Sequence, residues 1–320
     1  MVNGKPTVIS LFSGCGGSSL GYKWAGFREI LAIDFDRLAV ETFRLNFPDV
    51  PCWERDIRTV TGKQIMESCG IKRRGLDLLD ASPPCQGFST AGRRSVNDSR
   101  NDLFREFARL VRELEPKTFV MENVSGLIKG RMKGRFIEIM GELRALSYQV
   151  KCKLMNARWY GVPQSRQRLI WIGTRADLGK QPVFPEPTKE IVTVRQAIGD
   201  LPIGEPGNHQ PQVVEAWHKS RPGQALRGAC HYVGSFQSRR LDPRDASPTL
   251  VKAHRHWHYA VPRQLNDLEM KRICTFPDDF ILAGSKCERG HQLGNAVMPK
   301  FMEAIARTVK EGILDHAPIS

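Results

Sequence analysis

No apolar run in the sequence reaches the roughly 18 residues that the shortest membrane-spanning helix needs. Near the start, Lys5-Pro6 leads directly into the strand-like Thr7-Val-Ile-Ser-Leu-Phe12, which is not the layout of a signal peptide. Neither a membrane span nor a signal peptide is therefore expected, and the expected address is the cytoplasm. The eight cysteines, at 15, 52, 69, 85, 152, 230, 274 and 287, include no C-x-x-C pair. That speaks against a zinc ribbon and, at this length, against a disulfide scaffold, so they read as reduced thiols. The chain has no internal repeat and no low-complexity tract, so a repeat array is not expected.

Acidic residues are also scarce. Against 48 Lys and Arg stand 34 Asp and Glu, a formal charge of +14. The imbalance is local. Between Glu142 and Asp177 lie Arg144, Lys151, Lys153, Arg158, Arg166, Arg168 and Arg175 with no acid among them, and Lys129, Arg131, Lys133 and Arg135 cluster just before. Segment 203–264 adds nine basic residues against four acidic ones. Such clustering favours a nucleic-acid partner over a merely solvated face.

What is present in the first half is an alternation of strand-like and helical runs. Residues 7–12, 29–33, 76–81, 118–121, 148–155 and 168–173 read as strands; 18–25, 37–46 and 136–146 read as helices. Leu103, Phe107, Leu110, Val111 and Leu114 share one face of a further helix, capped near Asp98 or Ser99 and stopped at Pro116. This βα order predicts an α/β, doubly wound sheet. From about Gln181 prolines multiply and helical periodicity fades, which predicts a second, loop-rich domain. Helical pattern returns at 265–275 and at 299–313, the latter with Phe301, Ile305, Val309 and Ile313 in register.

Phe12-Ser-Gly-Cys-Gly-Gly17 follows the first strand and opens a helix, so Gly14, Gly16 and Gly17 allow the backbone to approach a ligand. Asp34, 20 residues after Gly14 at the end of the second strand, is placed to accept ribose hydroxyls. Ser19 stands where the dinucleotide fingerprint has its third glycine, so a nucleoside cofactor without a pyrophosphate, S-adenosylmethionine, fits better than NAD. Asp56 follows the next strand and could accept from an adenine amino group.

Asp77-Leu-Leu-Asp-Ala-Ser-Pro-Pro-Cys85 delivers a cysteine at the end of an apolar strand, after two prolines that stiffen the turn. In open α/β sheets that end faces the ligand crevice, which makes Cys85 a candidate nucleophile; the competing reading is an inert buried thiol.

Taken in order, these motifs resemble those of the cytosine-C5 DNA methyltransferases along nearly the whole chain. Phe12-Ser-Gly-Cys-Gly-Gly17, Asp34-Phe35 and Asp56-Ile57 look like the cofactor motifs, Ser82-Pro-Pro-Cys-Gln86 the nucleophile motif and Glu122-Asn-Val124 the glutamate motif. Gln164-Ser-Arg-Gln-Arg168 looks like the paired-arginine motif, and 193–202 like the segment before target recognition. Thr249-Leu250 resembles a Thr-Leu dipeptide of that domain, and Gln292-Leu-Gly-Asn-Ala-Val297 the closing motif.

The resemblance implies a Rossmann-like class I methyltransferase sheet with a smaller, loop-rich target-recognition domain. The catalytic, S-adenosylmethionine-binding domain would take 1–186 and 280–320, and target recognition with its hinge 187–279. It implies Cys85, Glu122, Arg166 and Arg168 as catalytic residues. The cofactor would be held by Phe12, Gly14, Gly16, Gly17, Asp34, Phe35, Asp56, Ile57, Pro83, Asn295 and Val297. Candidate DNA contacts are Gln86 and Ser89, in a polar, basic segment (86–100) suited to closing over a base, and Arg227, Arg239, Arg240, Thr249, Lys252 and Arg255.

His254, His256 and His258 alternate and would share a strand face, in DNA contact or exposed; no acid or cysteine completes a metal set, and none is expected. The partner would be double-stranded DNA and the enzyme a monomer near the nucleoid, in a restriction-modification role paired with a restriction endonuclease or in a phage-protection role. A tRNA cytosine methyltransferase would have a much reduced recognition region and a Cys-Phe-Thr signature, and neither is found here. A catalytically silent DNA-binding relative would be expected to have lost some of the four catalytic groups, and a redox protein would need a resolving cysteine near Cys85.

Overall fold

Strands buried on both faces need apolar side chains throughout, and helices covering them need one apolar stripe. The first part of the chain supplies both. In the computed structural model β1 (Thr7–Leu11) leads to α1 (Gly17–Trp24), β2 (Arg28–Asp34) to α2 (Arg37–Asn46) and β3 (Cys52–Glu54) to α3 (Gly62–Cys69). β4 (Leu78–Ala81) precedes α4 (Leu103–Leu114), and β5 (Thr118–Val124) precedes α5 (Lys133–Arg144). There follow β6 (Tyr148–Asn156), β7 (Gln164–Ser165), β8 (Gln167–Arg175), α6 (Val194–Ile198), α7 (Pro211–Lys219), β9 (Ser247–Pro248), α8 (Asp267–Ile273), α9 (Lys286–Asn295) and α10 (Pro299–Val309).

The structure describes residues 4–84, 103–128, 133–226, 239–251 and 256–315. Cys85, Gln86, Ser89, the rest of segment 86–100, Lys129, Arg131, Arg227, Lys252, His254 and Arg255 lie outside the described residues.

Seven strands form one sheet in the order β3-β2-β1-β4-β5-β8-β6. β1 to β5 run parallel, and β8 pairs antiparallel with β5. The strand order reverses between β1 and β4, and it is outside the carboxyl ends of strands at such a point that open α/β sheets bind ligands. The expected α/β sheet is thus observed, with one antiparallel strand added. Its core packs Ile9, Leu11, Leu31 and Leu79 with Phe107, Leu110, Val111 and Leu114, the stripe that the periodicity of α4 predicts.

Two helices in the proline-rich stretch escaped the periodicity. α6 has five residues, too few to show a period. α7 opens on Pro211, at the first helical position, where proline starts a helix instead of breaking one.

The chain divides into two units. The first takes Met1–Met155, Gln167–Glu186 and Phe301–Ser320; the second takes Asn156–Arg166 and Pro187–Lys300. This partition differs from the expected one at two places. Residues 156–166 join the second unit because β7 pairs with β9 there. Residues 280–300 join it because α9 packs on α8.

The second unit has its own core of Val213, Ala216, Trp217, Leu226 and Trp257. Here the histidine expectation fails. His256 and His258 are buried, 1% and 2% exposed, and residues 256–258 carry only isolated bridges in place of a strand. The Trp217 indole donates to the His258 carbonyl (3.1 Å), and His258 Nε2 lies 3.7 Å from the buried Glu269. Packing against these partners, which are remote in sequence, overrides the local alternation. Burial pushes the His258 imidazole below its usual range.

Candidate active site

The turn after β1 is shaped by backbone conformation before any side chain acts. Phe12, Gly14 and Gly16 have φ of 56°, 54° and 95°. Gly16 caps α1, and a Cβ there would come within 2.5 Å of Phe47. Gly14 has open space around it, so its requirement is the left-handed backbone alone.

Asp34 sits at the end of the neighbouring β2. Its Oδ2 accepts from the Gly14 amide at 2.7 Å and its Oδ1 from the Asp36 amide at 2.9 Å. The carboxyl is 9% exposed, and burial raises its pKa while these amide bonds oppose the rise. In this structure Asp34 ties the glycine turn to the start of α2, a bracing role that sequence reading did not assign.

Phe35 follows with its ring 66% exposed. A phenylalanine left in water beside a glycine turn fits the face of a bound nucleoside, since covering it is worth about 1.5–3 kcal/mol. Asp56 caps the short helical turn Ile57–Thr59 and pairs with Arg58, which holds its carboxyl below the usual range. Ile57 is core. Exposed ring, glycine turn and strand-end carboxylates form a donor and acceptor set that fits S-adenosylmethionine.

The adjoining strand ends carry the second half. β4 runs into Ser82-Pro83-Pro84, and Asn123 Nδ2 donates to the Pro83 carbonyl at 3.1 Å. Asn123 Oδ1 accepts from the Val124 amide at 2.8 Å, which sets the amide orientation. Glu122, one residue earlier on β5, forms an ion pair with Arg168 of β8, Oε1 to Nε 2.6 Å. Arg168 Nη1 donates to the Gln167 carbonyl at 2.8 Å. Among the described residues no hydrogen bond to Glu122 Oε2 or from Arg168 Nη2 is found.

Glu122, Arg168, Pro83, the glycine turn and Phe35 therefore all belong to the first unit, at the same end of its sheet. Cys85 follows Pro84 in the chain. Three of the other described thiols are poorly suited to nucleophilic work: burial pushes those of Cys52, Cys152 and Cys274 up to about 12.

Arg166 belongs to the second unit and is 3% exposed. Its guanidinium donates to the carbonyls of Leu250 (3.1 Å) and Gly294 (2.9 Å), so it braces that unit's backbone. Gln164 is wholly buried and accepts from the Leu250 amide, and the Thr249 hydroxyl donates to the Ser165 carbonyl at 2.7 Å. Gln164, Ser165 and Arg166 of the paired-arginine motif, the Thr-Leu dipeptide and the closing motif are thus joined by hydrogen bonds inside one unit. There Asn295 ends α9, exposed, and Val297 is buried. Arg239 and Arg240 are partly buried. Arg239 donates to the Gly223 carbonyl, while Arg240 donates to the Ser220 and Tyr259 carbonyls and lies 3.7 Å over the Trp217 ring. Arg240, with two of its N–H groups and its cation face engaged inside the protein, is the weaker candidate of the two for DNA contact. Among the described residues no group of three His, Cys, Asp or Glu is placed to hold a metal ion.

The comparison that decides the family is a match of the C-5 cytosine-specific DNA methylase model to residues 6–311. The chain belongs to this family.

Its relatives agree. The Type II methyltransferase M1.HphI of Haemophilus parahaemolyticus is 37% identical over 325 residues, covering 95% of this chain and 86% of the relative. M.XorII of Xanthomonas oryzae is 30% identical, covering 97% and 85%. Among solved structures, an E. coli prophage-encoded protein described as a DNA modification methyltransferase superposes with a TM-score of 0.84 at 27% identity, over 98% of this chain and 100% of that one. This chain is therefore a DNA (cytosine-5-)-methyltransferase by enzymatic class, and its relatives carry the name Type II methyltransferase. Among its described residues no helix is long and apolar enough to cross a membrane.

Two contributors were missed by sequence reading. Asn123 stood inside a quoted motif without a role. Asp80, an acid in the middle of an apolar strand, was the visible signal of a buried polar link between α1 and β4.

Proposed function

We propose that this methylase transfers a methyl group from S-adenosylmethionine to C5 of a cytosine held out of duplex DNA, through a transient covalent bond between Cys85 and C6. The observation that carries the reading is the Glu122–Arg168 pair. It lies at the end of the strand next to the one that runs into Pro83-Pro84-Cys85, with the Pro83 carbonyl held by Asn123.

C5 of cytosine is a weak nucleophile. Attack of the Cys85 thiolate at C6 forms an S–C bond and pushes an electron pair into the ring towards C5. A hydrogen bond or proton from the Glu122 carboxyl at N3 stabilises that charge, and Arg168 orients the carboxyl and directs its remaining N–H groups at the base. S-adenosylmethionine, when bound, supplies an electrophilic methyl group. After transfer the C5 proton leaves, the electron pair returns to C5–C6 and Cys85 departs. Among the described residues no side chain is an obvious base for this proton, and a water can accept it. The glycine turn, Asp34, Phe35 and Asp56 would hold the cofactor, with Pro83, Asn295 and Val297 assigned by resemblance.

A base paired inside a duplex cannot reach Cys85, so the cytosine must leave the stack at a cost on the order of a few kcal/mol. The charge of +14 supports attraction of the duplex. Target recognition belongs in this reading to the second unit, and the biological setting is a monomer at the nucleoid, paired with a restriction endonuclease.

Bisulfite sequencing of plasmid DNA from cells expressing the wild type or Cys85→Ala tests the proposal. Protected cytosines in one short context, absent from the variant, are the expected result. An unprotected plasmid would shift the substrate to RNA or leave a DNA-binding protein without catalysis.

A further inference from the structure

Tyr22 and Asp80 take no part in the chemistry above, yet they are among the most deeply buried polar residues of the first unit, 0% and 1% exposed. Tyr22 lies on α1, the helix that opens from the glycine turn, and Asp80 on β4, five residues before Cys85. The Tyr22 hydroxyl and Asp80 Oδ1 are 3.0 Å apart. A phenylalanine against a leucine would fill similar space without burying a phenol and a carboxyl. What the polar pair adds is direction, because a hydrogen bond fixes distance and angle where apolar packing tolerates sliding.

We propose that the Tyr22–Asp80 hydrogen bond is a positioning link that holds the strand delivering the nucleophile against the helix that opens from the cofactor turn, so that seating of the cofactor and alignment of Cys85 are coupled. The proposal rests on the function argued above. With it, the exit of β4 is held on both flanks: Asp80 by α1, and Pro83 by Asn123 of β5.

The surroundings are acidic, and among the described residues no cation pairs with Asp80. Ser18 of α1 also bonds Asp80, Glu29 of β2 accepts from Ser19 of α1 at 2.9 Å, Ser10 of β1 faces Glu29, and Glu122 of β5 adds its charge from the other side. Burial raises the Asp80 carboxyl to about 8 and holds Tyr22 well above its usual range. At neutral pH the phenol therefore donates to a mostly protonated acid. Above pH 8 the acid ionises towards Glu29 and Glu122, which should disturb the alignment.

The test uses the full-length enzyme and its variants Tyr22→Phe, Asp80→Ala and Asp80→Asn. Turnover, the KM for S-adenosylmethionine and for DNA, and melting temperature are measured. So is the rate of covalent trapping on duplex DNA carrying 5-fluorocytosine at varied S-adenosylmethionine, where methyl transfer leaves a C5 with no proton to lose and the Cys85 adduct cannot be released. Tyr22→Phe and Asp80→Ala are expected to lower kcat and trapping about tenfold with DNA KM unchanged, within the roughly hundredfold that a 1 Å misplacement can cost. Both should also raise the S-adenosylmethionine concentration needed for half-maximal trapping, because cofactor seating and Cys85 alignment are coupled.

Asp80→Asn keeps an acceptor oxygen and should retain activity while removing the decline above pH 8. The double variant Tyr22→Phe/Asp80→Ala should be no worse than either single one. A lower melting temperature with kcat and trapping intact in Tyr22→Phe would show an ordinary structural hydrogen bond and overturn the proposal; this variant decides even if Asp80→Ala fails to fold. A wild type that never traps fluorinated DNA would overturn the underlying function instead.

Discussion

Arg168 Nε stands 2.6 Å from Glu122 Oε1, a diagonal pair across the β5–β8 ladder in which Val124 faces Arg168 and Glu122 faces Ile170. The two side chains are 14% and 11% exposed, so each is the other's main compensation for leaving water.

Glu122→Gln keeps shape and polarity but cannot deliver a proton. It is expected to lower kcat by about 10²–10³, within the range for loss of a positioned acid, with a smaller loss of stability than Arg168→Ala because the Gln oxygen still accepts from Arg168. Arg168→Ala strands a nearly buried carboxylate and should lose about 3–5 kcal/mol as well as activity. Urea denaturation beside single-turnover methylation separates the two; equal loss of stability in both variants would contradict the assignment.

Asn123→Ala leaves the buried Pro83 carbonyl without its donor. The expected cost is about 1–3 kcal/mol, with slower trapping of 5-fluorocytosine DNA because the turn before Cys85 is released. Asn123→Ala activity equal to wild type at a permissive temperature would show that the contact is dispensable.

The buried acids predict the alkaline behaviour of stability. Glu29 is raised from 4.5 to about 7 and Asp80 from 3.8 to about 8, both mainly by burial. The folded protein therefore holds protons that the unfolded chain releases near pH 4. Their contribution is complete below that pH and is lost as pH rises through 7 and 8. Asp80→Asn should be no more stable than wild type at pH 5 and more stable at pH 9. Urea midpoints at the two pH values check the crossing.

The two glycines of the turn should respond differently to alanine. Gly16→Ala drives a Cβ into Phe47 at 2.5 Å and opposes a φ of 95°, and should cost about 1–3 kcal/mol while raising the KM for S-adenosylmethionine. Gly14→Ala meets no atom within 4 Å and should cost only the backbone strain, about 1 kcal/mol. Thermal melts and cofactor KM values for both variants decide.

Arg166→Met removes two hydrogen bonds to the carbonyls of Leu250 and Gly294. The expected loss is several kcal/mol, at about 1.5–3 per charged hydrogen bond, read as earlier proteolysis between 187 and 300. A variant that lost turnover with unchanged protease resistance would instead make Arg166 a substrate ligand.

The sheet, its helices and the order of its motifs were legible in the sequence because each depends on short-range pattern. Apolar runs ending in glycine or proline specify strands and turns, and the stripe of Leu103, Phe107, Leu110, Val111 and Leu114 specifies one face of a helix. Tertiary structure decided what lies between distant residues. It paired Glu122 with Arg168, gave Arg166 to backbone carbonyls, assigned 156–166 and 280–300 to the second unit, and buried His256 and His258 where alternation had suggested an open face. It also turned Asp34 towards the Gly14 and Asp36 amides and set Tyr22 against Asp80. Polar groups are satisfied by whichever partner the packed chain brings within about 3 Å, and sequence spacing alone does not say which partner that will be.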